Sequence, residues 1–225
     1  MKTAGIDPSL TSTAVCLSSD EGDKFVLFGK PRSGKWWEPV KDVCEQVTVE
    51  YQYPSDYSSQ DLAKVELYSE TARMVAEAVA AFGPERVAIE GYSYSSQAGD
   101  LIDLVTFGSA LRRELLLRGL KVTVLAPTEL KSMSCAKAYG RDKKGVPRRP
   151  DGLAGGKFKK NEMLQALVDS EPDTSIAKAL GDMAATAIGL AAVPKPIDDM
   201  VDAWWLSRMS ANFAQQSISA HDIDK

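Results

Sequence analysis

Three short apolar runs crowd the first 28 residues, Lys2–Ile6, Thr13–Leu17 and Lys24–Phe28, the last two joined by the turn-like "SSDEGD". Strands at this spacing predict an antiparallel meander. A long excursion rich in Pro, Gly and aromatic residues follows, from Pro31 to Ser59, in which Trp36 and Trp37 read as a local packing anchor. Beyond it the pattern changes to helix and strand in turn. Helical spacing covers Asp61–Phe82 and Asp100–Arg118, and the runs "RVAIE" and "KVTVLA" read as two further strands. A helix opens at Pro127, and others are expected over Lys157–Val168, Ile176–Ala192 and Asp199–Gln215. The prediction is an α/β fold, a mixed five-stranded sheet flanked by helices. It forms one domain over 1–216 with insertions near 31–59 and 136–156, and residues 217–225 are a polar tail.

The chain is 225 residues long, enough to bury a core without a metal or disulfide staple. Its 3 cysteines include no CxxC pair, which points to a reducing compartment and no structural zinc. The single histidine, His221, lies in the polar tail, so His-based catalysis is not expected. No apolar run is long enough to span a membrane, and no basic-then-apolar leader precedes the first strand; the expected location is cytoplasmic. The net charge is −4, yet Lys137, Arg141, Lys143, Lys144, Arg148, Arg149, Lys157, Lys159 and Lys160 face only Asp142 and Asp151 in their stretch. A basic segment on an acidic body suits either a polyanionic partner or a solvated loop. Within it, residues 136–156 carry five Gly and two Pro and read as a loop or arm.

Two acids end strands. Asp7 follows the first apolar run and Glu90 follows "RVAI", so both should emerge at the sheet edge, where α/β proteins build their sites. Taken alone, Asp7 is explained equally by an Asx-type turn into Pro8–Ser9. The cluster "KPIDDMVDAWWL" changes that balance. Asp198 can serve as a helix N-cap, but Asp202 lies beyond the first turn, beside Trp204 and Trp205. Asp199 and Asp202, or Asp198 and Asp202, share a helix face. An acid on so apolar a helix needs a cation or a proton. Carboxylates without His or Cys form a hard oxygen site suited to Mg²⁺ or Mn²⁺. Two such ions about 3.5–4 Å apart can assist phosphodiester cleavage.

"GIDPSLTSTAVCL", "VAIEGYSYSSQAG" and "DDMVDAWWL" together resemble, in order, the motifs of the RuvC-type Holliday-junction resolvases, a family with the ribonuclease H-like fold. The resemblance spans residues 3–210. It implies metal ligands at Asp7, Glu90, Asp199 and Asp202, with two Mg²⁺ per site and Mn²⁺ able to substitute. "APTELKSM" resembles a segment carrying an active-site lysine, here Lys131, and "GKFKKNEMLQALV" a second, with Lys160 the closest match and Lys159 an alternative. The family's junction-stacking aromatic falls at Ser93, flanked by Tyr92 and Tyr94. The implied activity is resolution of branched double-stranded DNA by paired hydrolysis, leaving 5′-phosphate and 3′-hydroxyl ends. The implied assembly is a homodimer through the helix bearing Leu101, Leu104, Val105, Ala110 and Leu111. The two insertions depart from the bacterial pattern and suggest a phage-type branch.

Competing readings are a less selective branched-DNA nuclease, an actin-like sugar kinase, and a non-catalytic DNA-binding protein. A kinase usually needs two such lobes, for which the chain leaves little room, and no nucleotide cofactor is expected. "GLAGGK" is not a phosphate-binding P-loop, since it has one residue too few, Phe158 at the Ser/Thr position and no preceding strand. An intact four-acid set argues against a non-catalytic protein.

Overall fold

A computed structural model describes residues 1–49, 55–92, 98–187 and 193–210. β1 (Thr3–Asp7), β2 (Ser12–Ser19) and β3 (Gly22–Gly29) form the expected meander, with Ile6 opposite Val15 and Val15 opposite Val26. β5 (Arg86–Glu90) lies parallel to β1, and β6 (Val122–Leu125) parallel to β5. A sixth strand, β4 (Cys44–Thr48), pairs parallel to β3, so the order is β4-β3-β2-β1-β5-β6. The sheet therefore has six strands rather than five. β4 falls inside the 31–59 insertion and is an edge strand; Cys44 is its only buried residue, so it carries no apolar alternation to read.

The helices are α1 (Tyr57–Phe82), α2 (Ala98–Leu117), α3 (Pro127–Tyr139), α4 (Lys160–Ser170), α5 (Ser175–Ala187) and α6 (Ile197–Ser210). α1 starts ahead of Asp61 because Asp56 is its N-cap, accepting from Ser59 N at 2.8 Å. The expected continuations of α5 to Ala192 and α6 to Gln215 lie outside the described residues, as do His221 and the polar tail. No helix of the described residues is long and apolar enough to cross a membrane.

Strand alternation divides the core in two. Ala4, Ile6, Val15, Val26, Val87 and Ile89 face α1 and α2, whereas Ala14, Cys16, Phe25, Leu27 and Ala88 face α3, α4, α5 and α6. α6 is the central helix of that second layer. Its Trp204 and Trp205 are fully buried and meet edge-on with ring centroids 4.8 Å apart. Gly5 lets α6 approach β1 closely: a Cβ there would stand 2.0 Å from the Ala203 carbonyl oxygen. This backbone-to-backbone approach sets how near the acids of α6 come to the end of β1.

Candidate active site

β1 and β5 are parallel neighbours with Ile6 opposite Ile89, so Asp7 and Glu90 leave the sheet together at one edge. Alternation puts both on the face that α6 covers. The N-terminal half of α6 arrives there with Asp199 and Asp202 one turn apart. Carboxylate oxygens of Asp7, Glu90 and Asp202 consequently lie within 4.8 Å of one another. Asp202 is fully buried, and Asp7 and Asp199 are nearly so. Asp7, Glu90 and Asp199 line a cleft of about 380 Å³, together with Ser9, Lys160, Lys195 and Asp198.

Two ammonium groups reach the acids. Lys160, the first residue of α4, forms an ion pair with Asp202. Lys195 donates to Asp199 Oδ1 at 2.8 Å and to Ser9 Oγ at 3.3 Å. Burial raises the Asp7 carboxyl well above the usual carboxylate range, and the charges of Glu90 and Asp202 push it further. Asp199 is raised by burial and by neighbouring Asp198, with Lys195 opposing. Burial carries Asp202 up to about 7, against the pull of Lys160. Burial works against both ammonium groups, but Asp202 and Asp7 raise Lys160, and Asp199 raises Lys195.

The counter-charge remains incomplete. Asp199 Oδ2 and Asp202 Oδ1 are buried without a hydrogen-bond partner. A buried carboxylate oxygen without a partner is costly, and the remedy compatible with an all-oxygen donor set is a hard divalent cation. The donor set of Asp7, Glu90 and Asp202 therefore fits a divalent metal ion, with Asp199 alongside.

No protein-family model matches the sequence, and no curated protein matches it. Solved structures do. Thermus thermophilus RuvC superposes with a TM-score of 0.50 at 19% identity, over 95% of each chain. T. thermophilus RuvC in complex with a Holliday junction substrate gives 0.50 at 16% identity, over 95% of this chain and 94% of that one. The chain has the RuvC-type fold.

On this RuvC-type fold the remaining candidate residues occupy distinct places. Lys159 is the exposed N-cap of α4, so Lys160 rather than Lys159 faces the acids. Lys131 is half-buried on α3 and forms no ion pair with the acid cluster among the described residues. Tyr92 is engaged by α2: its hydroxyl donates to Val105 O at 3.2 Å and accepts from Arg112 Nη1 at 2.7 Å, with that guanidinium 4.3 Å over its ring. Ser93 and Tyr94 lie outside the described residues. Lys137 stands near Arg208, where partial desolvation and that guanidinium lower its ammonium. Arg141, Lys143, Lys144, Arg148 and Lys157 are exposed, whereas Arg149 is folded onto Asp151 at 2.5 Å.

Lys195 is a site residue that the motifs do not reveal. In "VPKPIDD" the flanking prolines read as helix separators, although the lysine stands four residues before Asp199 and on its side of the coming helix. The hydroxyls after Asp7 also have places. Thr13 Oγ1 donates to Ser9 O at 3.2 Å, Ser9 Oγ accepts from Lys195, and Ser12 Oγ is buried without a partner.

Proposed function

We propose that the chain is a divalent-metal-dependent, structure-selective DNA endonuclease that resolves four-way junctions by paired phosphodiester hydrolysis, leaving 5′-phosphate and 3′-hydroxyl ends. The observation that carries this reading is the convergence of Asp7, Glu90 and Asp202 within 4.8 Å on a RuvC-type fold. Beside them are two orphaned carboxylate oxygens and two lysines.

Bound at this cluster, Mg²⁺ or Mn²⁺ would supply Lewis acidity and offset the mutual repulsion of the acids. The chain's own residues do the rest. Asp7 and Glu90 from the strands and Asp199 and Asp202 from α6 would hold the cations. Lys160 and Lys195 border the same cleft and offer ammonium donors to phosphate oxygens, favouring charge that develops during transfer. Exposed Arg141, Lys143, Lys144, Arg148, Lys157 and Lys159 supply sequence-independent attraction for the DNA backbone. Lys131 joins them as a backbone contact.

Paired cutting requires two sites related by a two-fold axis. The surface proposed for that dimer carries exposed Leu62 and Val65 on α1 and Ile102 and Val105 on α2. Leu111, on the same helix, is fully buried and belongs to the core. Leu104 lines the cleft, so α2 links this surface to the active site.

The test is incubation of the protein with a labelled four-way junction and a linear duplex, with and without Mg²⁺. Symmetric nicks in the junction alone, absent in Asp7→Asn, are the expected result. Equal cutting of linear duplex would reduce the reading to a general nuclease, and no cutting of either DNA with Mg²⁺ present would overturn it.

A further inference from the structure

Residues 140–156, within the 136–156 segment expected to be a loop or arm, contain one turn built twice. In the first copy Gly145 N donates to Asp142 O at 3.0 Å, and Asp142 N donates to Val146 O at 2.9 Å. Seven residues on, Gly152 N donates to Arg149 O and Arg149 N to Leu153 O, both at 2.9 Å. Gly145 and Gly152 both adopt φ +79°, the left-handed conformation that closes such a turn. An arginine precedes each copy and braces it: Arg141 Nη1 donates to Gly145 O at 2.8 Å, and Arg148 Nη1 to Gly152 O at 3.1 Å.

The copies part in what becomes of the apolar residue after the glycine. Val146 is half-buried and approaches Gly155, whereas its counterpart Leu153, which follows Gly152 and pairs back to Arg149, is 63% exposed. The backbone of Leu153 is held on both sides, its N–H donating to Asp151 Oδ1 at 2.9 Å and its carbonyl accepting from Arg149. Arg149 in turn lies 3.6 Å from Glu162 of α4. Glu162 accepts from Lys159 N at 2.8 Å, immediately before Lys160 and its ion pair with Asp202. Leu153 is thus linked through Arg149, Glu162 and Lys159 to the start of α4, whose Lys160 pairs with Asp202, and exposed Arg148, Lys157 and Lys159 lie in the same stretch of chain.

We propose that Leu153 is a wedge that enters between base pairs at the branch point of the DNA this site cuts, an inference that rests on the nuclease reading above. Apolar side chains presented by basic, DNA-bound elements kink duplexes by separating stacked base steps. The cost of unstacking is least where pairing or stacking is already interrupted, as it is at a branch point. An exposed leucine whose backbone is pinned within a hairpin turn of a basic segment meets that requirement, and burial in the fold does not account for it.

The test compares wild type, Leu153→Ser and Leu153→Phe in calcium buffer on a four-way junction carrying 2-aminopurine beside the branch point, and on a matched linear duplex. Binding of wild type is expected to raise the 2-aminopurine fluorescence. Leu153→Ser should lose that rise and bind the junction about tenfold more weakly, with duplex affinity and melting temperature unchanged. Leu153→Phe should keep both the rise and the affinity. A Leu153→Ser protein that matches wild type on the junction overturns the wedge while leaving the nuclease reading intact. So does an equal loss on linear duplex, which would mean that Leu153 only supports the turn. Wild type that does not prefer the junction to the duplex overturns both the wedge and the junction selectivity of the proposed nuclease.

Discussion

At the C-terminal end of α6, Arg208 donates to Asp23 at 3.0 and 2.9 Å and to Glu171 at 2.9 and 2.6 Å, while Trp204 Nε1 donates to Asp23 at 2.9 Å. The guanidinium also lies 4.5 Å over the Trp204 ring. Six residues earlier on the same helix, roughly 9 Å along its axis, Asp202 shares two ammonium groups with Asp7, Glu90 and Asp199. There, two carboxylate oxygens have no partner at all. The same helix buries acids twice, once matched donor for acceptor and once with charge in excess. A carboxylate kept for structure is saturated by its own chain, whereas an excess of buried negative charge at a sheet edge marks a place for something the chain does not supply.

The largest expected effects separate these two ends. Asp202→Asn should lower Mg²⁺-dependent junction cleavage on the order of 10³-fold and leave the ion-free fold at least as stable as wild type, read by product gels and thermal melting. Arg208→Met should do the reverse, because Asp23 would be left buried without its guanidinium. A loss of about 3–5 kcal/mol in denaturant unfolding is expected, with cleavage per folded molecule retained. If Arg208→Met abolished cutting without destabilising the fold, the division between the ends would fail.

Lys195 gives a smaller and more discriminating effect. Lys195→Ala removes the ammonium from Asp199, so cleavage at saturating Mg²⁺ should fall about tenfold. Cation affinity, measured by calorimetry, should rise, since the site becomes more negative. A parallel fall in both quantities would make Lys195 a structural support rather than a phosphate donor.

Much of this arrangement is legible in the amino-acid sequence. Strands that end in Asp7 and Glu90 can be read from short apolar runs, and the pairing of Asp199 with Asp202 from helical spacing. Both are local regularities. What escapes such reading depends on contacts between distant segments. β4 is hidden because an edge strand with a single buried residue has no periodicity to detect. The doubled turn at 142–153 is hidden because its two copies share backbone geometry and the positions of Arg and Gly but little else. Lys195 is the exception: its partner Asp199 is only four residues away, but the prolines on either side of the lysine read as a break before the helix. The Arg208 network is also invisible, since it joins α6 to Ser18 and Asp23 of the β2–β3 hairpin and to distant Glu171. Tyr92, named from resemblance, is held by Arg112, a contact the motif gives no hint of.

The excess charge has a direct thermodynamic signature. Asp7, Asp199 and Asp202 all titrate higher in the folded protein than their ordinary values, Asp202 at about 7. Between the unfolded carboxylate range, about 3.9, and those raised values the folded state binds more protons than the unfolded one. Stability contributed by these groups is therefore greatest at low pH and is lost as pH rises through about 7. The most direct measurement is the melting temperature of the ion-free protein at pH 5 and pH 8, with and without Mn²⁺, for wild type and Asp202→Asn. The account predicts a lower wild-type melting temperature at pH 8 that Mn²⁺ restores, and a smaller response to both pH and Mn²⁺ in the variant. A wild-type melting temperature that rises from pH 5 to pH 8 and does not respond to Mn²⁺ would contradict it.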